Sequence, residues 1–313
     1  MTESNSTNFK LSYIIPALNE ENCIRKTLFS INEFTPDNVY YQVILVDNGS
    51  TDNTINIAKK SGAKVKSCPQ KTIAYARNFG AKDATGDIFV FLDADILLTE
   101  EWASEINNTL ACLSEQRLMV TGSRVLPVDN ITLLNKYWFY RMLSYEAPYI
   151  NSAHLITTKE LFVKIEGFTA ELKTAEDYDF CMKAKKAGAE LVNNPSLPVI
   201  HLGYPTKIPA FMKRERWHGR QDFVSIQSFM ESKIAWLATI NIVSFIFYVL
   251  LSIGLSNYAI LLLYPLTMGG FSALLTVYKF GMRPLSLLLG TSLLFYFYLC
   301  GRSMALIDRF VKP

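Results

Sequence analysis

The stretch FVFLDADILL, residues 89–98, sets two carboxylates at the end of a run that otherwise reads as a buried strand. A carboxylate is costly to bury unless it is paired, hydrogen-bonded or bound to a cation. Asp93 and Asp95, one alanine apart, therefore either face solvent as a structural feature or hold something positive. Two further apolar runs, KLSYIIP (10–16) and YQVILVD (41–47), also end in polar residues. PALNEE carries Asn19, Glu20 and Glu21, and VDNGSTDNT carries Asp47 and Asp52. With DIFVFLD (87–93), these runs read as three buried strands. Helices are expected at about 20–34 and 51–61, the second closed by Gly62. Strands alternating with helices imply a parallel α/β sheet, and such sheets bind ligands beyond the carboxyl ends of their strands. The three ends then share one edge, and Asp47, Asp52, Asp93 and Asp95 share one cleft. Each piece also has a plain structural reading: NGSTDNT is a good turn, and Ser50, Thr51 or Asp52 suits a helix cap. The accumulation of acids at one edge is harder to explain without a compensating cation.

The chain has 313 residues and a net charge of +3, which implies no broad basic surface and no nucleic-acid partner. Its five cysteines (Cys23, Cys68, Cys112, Cys181, Cys300) form no CxxC pair, which argues against a zinc site or a disulfide framework. The polar start MTESNSTNFK lacks a basic and then apolar region, so no signal peptide is expected.

No charged residue occurs from Ile234 to Tyr278. About 20 apolar residues suffice for a membrane helix, so two spans are expected, 234–253 and 258–278, broken at GLSN. A third apolar run, 285–307, contains Arg302 and is expected to span the membrane or to lie in its interface, with the arginine stem reaching toward water. Basic residues precede the first span and follow the second (Lys207, Lys213, Arg214, Arg216, Arg220, Lys233, Lys279, Arg283), whereas the hairpin loop has none. This bias predicts an integral membrane protein with residues 1–233 in the cytoplasm and membrane lipids as partners. The expected division is a cytoplasmic α/β domain over 1–222, with an interfacial segment at 207–222, and a membrane region over 223–313.

Four ordered motifs, IIPALNEENCIRKTLFSI, VILVDNGSTDNT, ARNFGAKDATGDIFVFLDAD and AEDYDFCMKAKKAG, resemble the glycosyltransferases of family two, from about residue 10 to 205. The resemblance implies a GT-A fold, a Rossmann-like nucleotide-sugar-binding domain with a mostly parallel central sheet. It also implies inverting transfer of a sugar from a nucleotide-sugar donor, usually with Mg or Mn. By this resemblance Pro16, Ala17, Asn19 and Glu20 form the nucleoside-binding strand end, and Asp47 holds the base. Asn48 stands where many members have a second aspartate. Arg77 and Asn78 lie where the family approaches the donor. Asp93 and Asp95 match the DxD motif, Asp95 as direct metal ligand and Asp93 as contact to ribose or metal-bound water. His201, in VIHLGYP, is either a further ligand or structural. A diphosphate leaving group gains negative charge as the glycosidic bond breaks, and a cation held by carboxylates stabilises it.

Glu176 and Asp177 sit at the apparent start of a helix, where acids also oppose the macrodipole. The family's ED motif implies that Asp177 is the general base and that Glu176 helps to place the acceptor. His154 either lines the acceptor side or is structural. KRERW (213–217) resembles the QxxRW motif of processive synthases, with Lys213 in place of glutamine, so Arg216 and Trp217 either close over the donor diphosphate or anchor the chain at the interface. The missing glutamine and the small membrane region favour a single-sugar transfer to a lipid-linked or membrane-proximal acceptor. A metal-dependent nucleotidyltransferase and a non-catalytic protein with the same fold are the alternative classes.

Overall fold

The computed structural model describes residues 10–129, 132–144 and 147–311. The chain divides into two compact units, 1–128 with 146–204 and 129–145 with 205–313. The segment at 207–222 thus belongs to the second unit, together with residues 129–145 from the middle of the chain.

Among the described residues, the first unit is built on ten strands: β1 Lys10–Ala17, β2 Tyr40–Asp47, β3 Lys64–Ser67, β4 Ile88–Leu92, β5 Ile96–Leu98, β6 Met119–Gly122, β7 Val125–Pro127, β8 His154–Thr158, β9 Glu190–Asn193 and β10 Val199–His201. Seven form one sheet in the order β3-β2-β1-β4-β8-β6-β9, in which only β8 runs against its neighbours. The near-continuous apolar runs of β1 and β4 suit strands covered on both faces. Along β1 the pleat sends Leu11, Tyr13 and Ile15 into one core and Ile14 into the other, where Ile14 joins Phe89 and Phe91. Parallel pairing aligns Ala17 with Asp47, so the ends of β1 and β2 meet at one edge.

The helix Ile73–Ala81 starts at Thr72, whose hydroxyl accepts from the Tyr75 N–H. It lies close on the sheet because residue 80 is glycine: a β-carbon there would stand 2.7 Å from Ile14 and 2.9 Å from Val46. The first helix begins at Ile24 and the second at Thr54, both later than expected. The polar residues before each helix bind one another instead. Asn19 adopts a left-handed conformation, φ 57°. Its side-chain carbonyl accepts from the Thr51 N–H, and Ser50 Oγ accepts from the Asn19 N–H, both at 2.9 Å. Thr54 Oγ1 accepts from the Glu20 N–H, and Asp52 from the Glu21 N–H.

A second, three-stranded sheet, β5-β10-β7, was not foreseen. Its strands of three residues are too short to show a period. It pairs His201 with Ile96, the residue after Asp95.

Among the described residues of the second unit, three helical stretches are long and apolar enough to cross a membrane: Lys233–Gly254, Tyr258–Phe280 and Leu285–Arg309. The third run qualifies as a span despite Arg302, which is paired rather than reaching for water. Its guanidinium lies 3.2 Å from both Glu215 and Asp222. Asn241 is likewise satisfied, donating to Ser303 Oγ at 2.9 Å and accepting from the Tyr264 hydroxyl at 3.0 Å.

Candidate active site

Arg77 is the centre of the arrangement. The helix Ile73–Ala81 buries it to 1% exposure. One guanidinium nitrogen donates to Asp93 Oδ1 and the other to Glu176 Oε1, each at 2.7 Å. The end of β4 is thereby clasped to the helix Glu176–Lys186, with Arg77 and Glu176 99 positions apart in sequence. A buried cation needs such partners, because the desolvation cost is recovered only through close, hydrogen-bonded counter-charges. Ser152 Oγ adds a hydrogen bond to Glu176. Arg77 Nε remains buried without a partner.

Asp177 lies beside this clasp. Ala175, immediately before Glu176, is held at φ 62°, a conformation disfavoured for a residue with a β-carbon and often retained at functional sites. Burial pushes the Asp177 carboxyl up to about 6, and the charge of Glu176 adds to the shift. The neighbouring Thr174 hydroxyl is buried with no hydrogen-bond partner. Glu20, at the end of β1, is pushed up to about 7 by burial and then by Asp93 and Asp52. The groups thus form one electrostatic series, Glu20, Asp93, Arg77, Glu176 and Asp177, spread over three strand and helix ends.

Asp47 is almost fully buried, and its carboxylate accepts from the N–H groups of Gly49 and Ser50 at 3.0 and 3.1 Å. Pro16 and Ala17 are the buried last residues of β1. Asn48 clamps the next loop, donating to Lys71 O and accepting from Lys71 N–H. Asn78 makes a similar clamp on Phe168, donating to its carbonyl at 2.7 Å and accepting from its N–H at 2.9 Å. Its amide is thus committed to the loop that leads to Glu176. His154 is structural: fully buried, it accepts from the Trp102 indole N–H at Nε2 and meets Ser123 Oγ at Nδ1, and burial pushes its pKa down to about 3.

Asp95 Oδ2 lies 3.5 Å from His201 Nδ1. The Gly203 N–H donates to that same Nδ1 at 3.0 Å. The ring stacks on Tyr204, 4.2 Å between centroids. Among the described residues, no three His, Cys, Asp or Glu side chains form a metal-holding group. One carboxylate beside one imidazole suits a hard divalent cation that draws its remaining oxygen ligands from a diphosphate and water. Gly203 shapes this cradle, since a β-carbon there would overlap the Asp95 carboxylate. Gly203→Ala is therefore expected to raise the metal concentration needed for half-maximal activity by about 10- to 100-fold. A metal titration beside a thermal melt checks this, with an unchanged melt and the shifted titration as the expected pair of results.

Arg216 and Trp217 belong to the second unit, on the helix Ile208–His218. Both arms of the Arg216 fork engage Asp308, with Nε at 2.7 Å from Oδ2. The fork expected for a diphosphate is thus occupied by a carboxylate. Trp217 is 39% exposed and meets His218 edge to face.

The sequence profile described as Glycosyl transferase family 2 matches residues 12–166. Protein RfbJ of Shigella flexneri is 33% identical over 116 residues, covering 37% of this chain and 86% of RfbJ. The dolichyl N-acetyl-alpha-D-glucosaminyl phosphate 3-beta-D-2,3-diacetamido-2,3-dideoxy-beta-D-glucuronosyltransferase of Methanococcus voltae is 22% identical over 214 residues, covering 60% of this chain and 65% of that protein. Other curated relatives are matched over only 28% to 38% of their own length. Among solved structures, the mannosyltransferase PcManGT from Pyrobaculum calidifontis, in complex with GDP-Man and Mn2+, superposes with a TM-score of 0.59 at 19% identity, covering 96% of this chain and 88% of that one. The mostly parallel sheet with its acidic strand ends is the GT-A fold, and the chain belongs to glycosyl transferase family 2.

Proposed function

We propose that the protein transfers a single sugar, with inversion, from a nucleotide-sugar donor to a hydroxyl of a lipid-linked or membrane-proximal acceptor. The observation that carries this reading is the Arg77 clasp, which fixes the DxD carboxylate Asp93 and the ED carboxylate Glu176 on one cation, with Asp177 adjoining. Asp47 and the ends of β1 and β2, stitched together through Asn19, Glu20 and Asp52, receive the nucleoside. Asp95 and His201 would hold a Mg or Mn ion, which supplies charge stabilisation for the departing diphosphate. Asp177 takes the proton of the acceptor hydroxyl as that oxygen bonds to the anomeric carbon and the bond from that carbon to the diphosphate breaks. A base whose pKa lies near neutrality accepts that proton more readily than an ordinary aspartate. The dolichyl N-acetyl-alpha-D-glucosaminyl phosphate in the name of the Methanococcus voltae relative supports a lipid-linked acceptor. The basic residues flanking the spans support a cytoplasmic catalytic unit.

The test is a donor screen with the full chain purified in detergent, scoring release of nucleoside diphosphate. Release from at least one nucleotide sugar is expected, abolished by a chelator and restored by Mg or Mn. Release of pyrophosphate instead would assign the site to a nucleotidyltransferase, and turnover unaffected by chelation would remove the metal.

A further inference from the structure

We propose that Arg141, Lys279 and Arg283, all in the second unit, form a binding site for the phosphate group of an anionic lipid. Arg141 comes from one stretch, and Lys279 and Arg283 from another, and they gather around one residue, Phe280. The Arg141 guanidinium lies over the Phe280 ring, 5.0 Å from its centroid, and the Lys279 ammonium lies 5.6 Å from the same centroid. Arg283 Nε donates to the Phe280 carbonyl at 3.1 Å. Like charges repel: burial first, and then the charge of Arg283, disfavours the charged form of Arg141. Such a grouping normally carries a counter-ion. Among the described residues, neither Arg141 nor Arg283 is ion-paired with a carboxylate. Arg141 Nε, finally, is buried with no hydrogen-bond partner, an unspent donor within the cluster.

The surroundings select a lipid. Phe280 ends an apolar helix long enough to cross a membrane, and Arg283 follows in the exposed turn before the next. Tyr278 is 87% exposed and Met282 75%, so apolar side chains open to acyl chains stand beside the cations. Guanidinium forks match phosphate oxygens in pairs, and an adjacent ammonium adds a point charge. General attraction of basic residues to an anionic surface needs only charge, whereas a site needs the fork of Arg141, and this separates the two experimentally.

The experiment titrates the full chain, in a non-ionic detergent, with dihexanoylphosphatidic acid or dihexanoylphosphatidylcholine, read by calorimetry. Phosphatidic acid is expected to bind about tenfold or more tightly than phosphatidylcholine, and Arg141→Gln with Arg283→Gln to remove that preference. Arg141→Lys, which keeps the charge, is expected to weaken binding several-fold. Arg283→Gln alone changes an exposed turn residue, so its own loss of affinity reads the site free of any folding defect. Inorganic phosphate competing at millimolar concentration would show that the site reads the anion whether free or esterified; failure to compete would show that the acyl chains are required. Equal affinity for the two lipids, or unchanged phosphatidic acid binding in the Arg283→Gln and double variants, would overturn the proposal.

Discussion

Replacing Arg77 with methionine is expected to cost about 3–5 kcal/mol of stability, the range for removing one partner of a buried ion pair. Methionine fills much of the same volume, so the loss comes from charge. Glu176 would be left buried without its cation, and Asp93, nearer water, would add the smaller share. The two strand and helix ends that Arg77 clasps would also repel, so donor binding should fall with stability. Denaturant unfolding of the full chain in detergent, alongside nucleotide binding, checks both. Arg77→Lys keeps one charge but reaches one carboxylate at a time, and should fall between wild type and methionine. Wild-type stability in both variants would show that the clasp is incidental.

Asp177→Asn is expected to lower turnover of a hydroxyl acceptor by about 10²- to 10⁴-fold, the usual cost of losing a general base, while donor affinity holds. The pH dependence carries the sign. A base acts only when deprotonated, so wild-type turnover should rise as pH increases through about 6, the pKa to which burial raises Asp177, and level off above it. The asparagine variant should lose that limb. Rates that stay near wild type with a hydroxyl acceptor would reduce Asp177 to a helix-start residue. An acceptor that is already an ionised phosphate needs no base, and tolerance with that acceptor alone would identify a polyprenyl phosphate as the natural one.

The carboxylates at the ends of β1, β2 and β4 were legible because buried parallel strands are continuous apolar runs, and a polar residue marks where each stops. Asp177 was legible as part of an acidic helix start. Other features depend on pairing between side chains distant in sequence, which no local pattern reports. Arg77 reads as one basic residue on a helix until Glu176 is brought to it. Asn78 looked donor-facing, yet its amide closes on Phe168. Arg302 looked like an interfacial arginine, yet Glu215 and Asp222 hold it within the second unit. Asp308 does the same for Arg216. The small sheet that sets His201 beside Asp95 was missed because strands of three residues show no period. One signal was available, the glycine two residues after His201, whose missing side chain leaves room for Asp95.

The most direct measurement is the anomalous scattering of manganese in crystals of the full chain grown with Mn2+ and a nucleotide sugar. The account predicts one strong peak against the Asp95 carboxylate, with the donor diphosphate on the same ion, the nucleoside at the ends of β1 and β2, and the anomeric carbon facing Asp177. A manganese peak away from Asp95, or a nucleotide bound away from the β1, β2 and β4 edge, would contradict it.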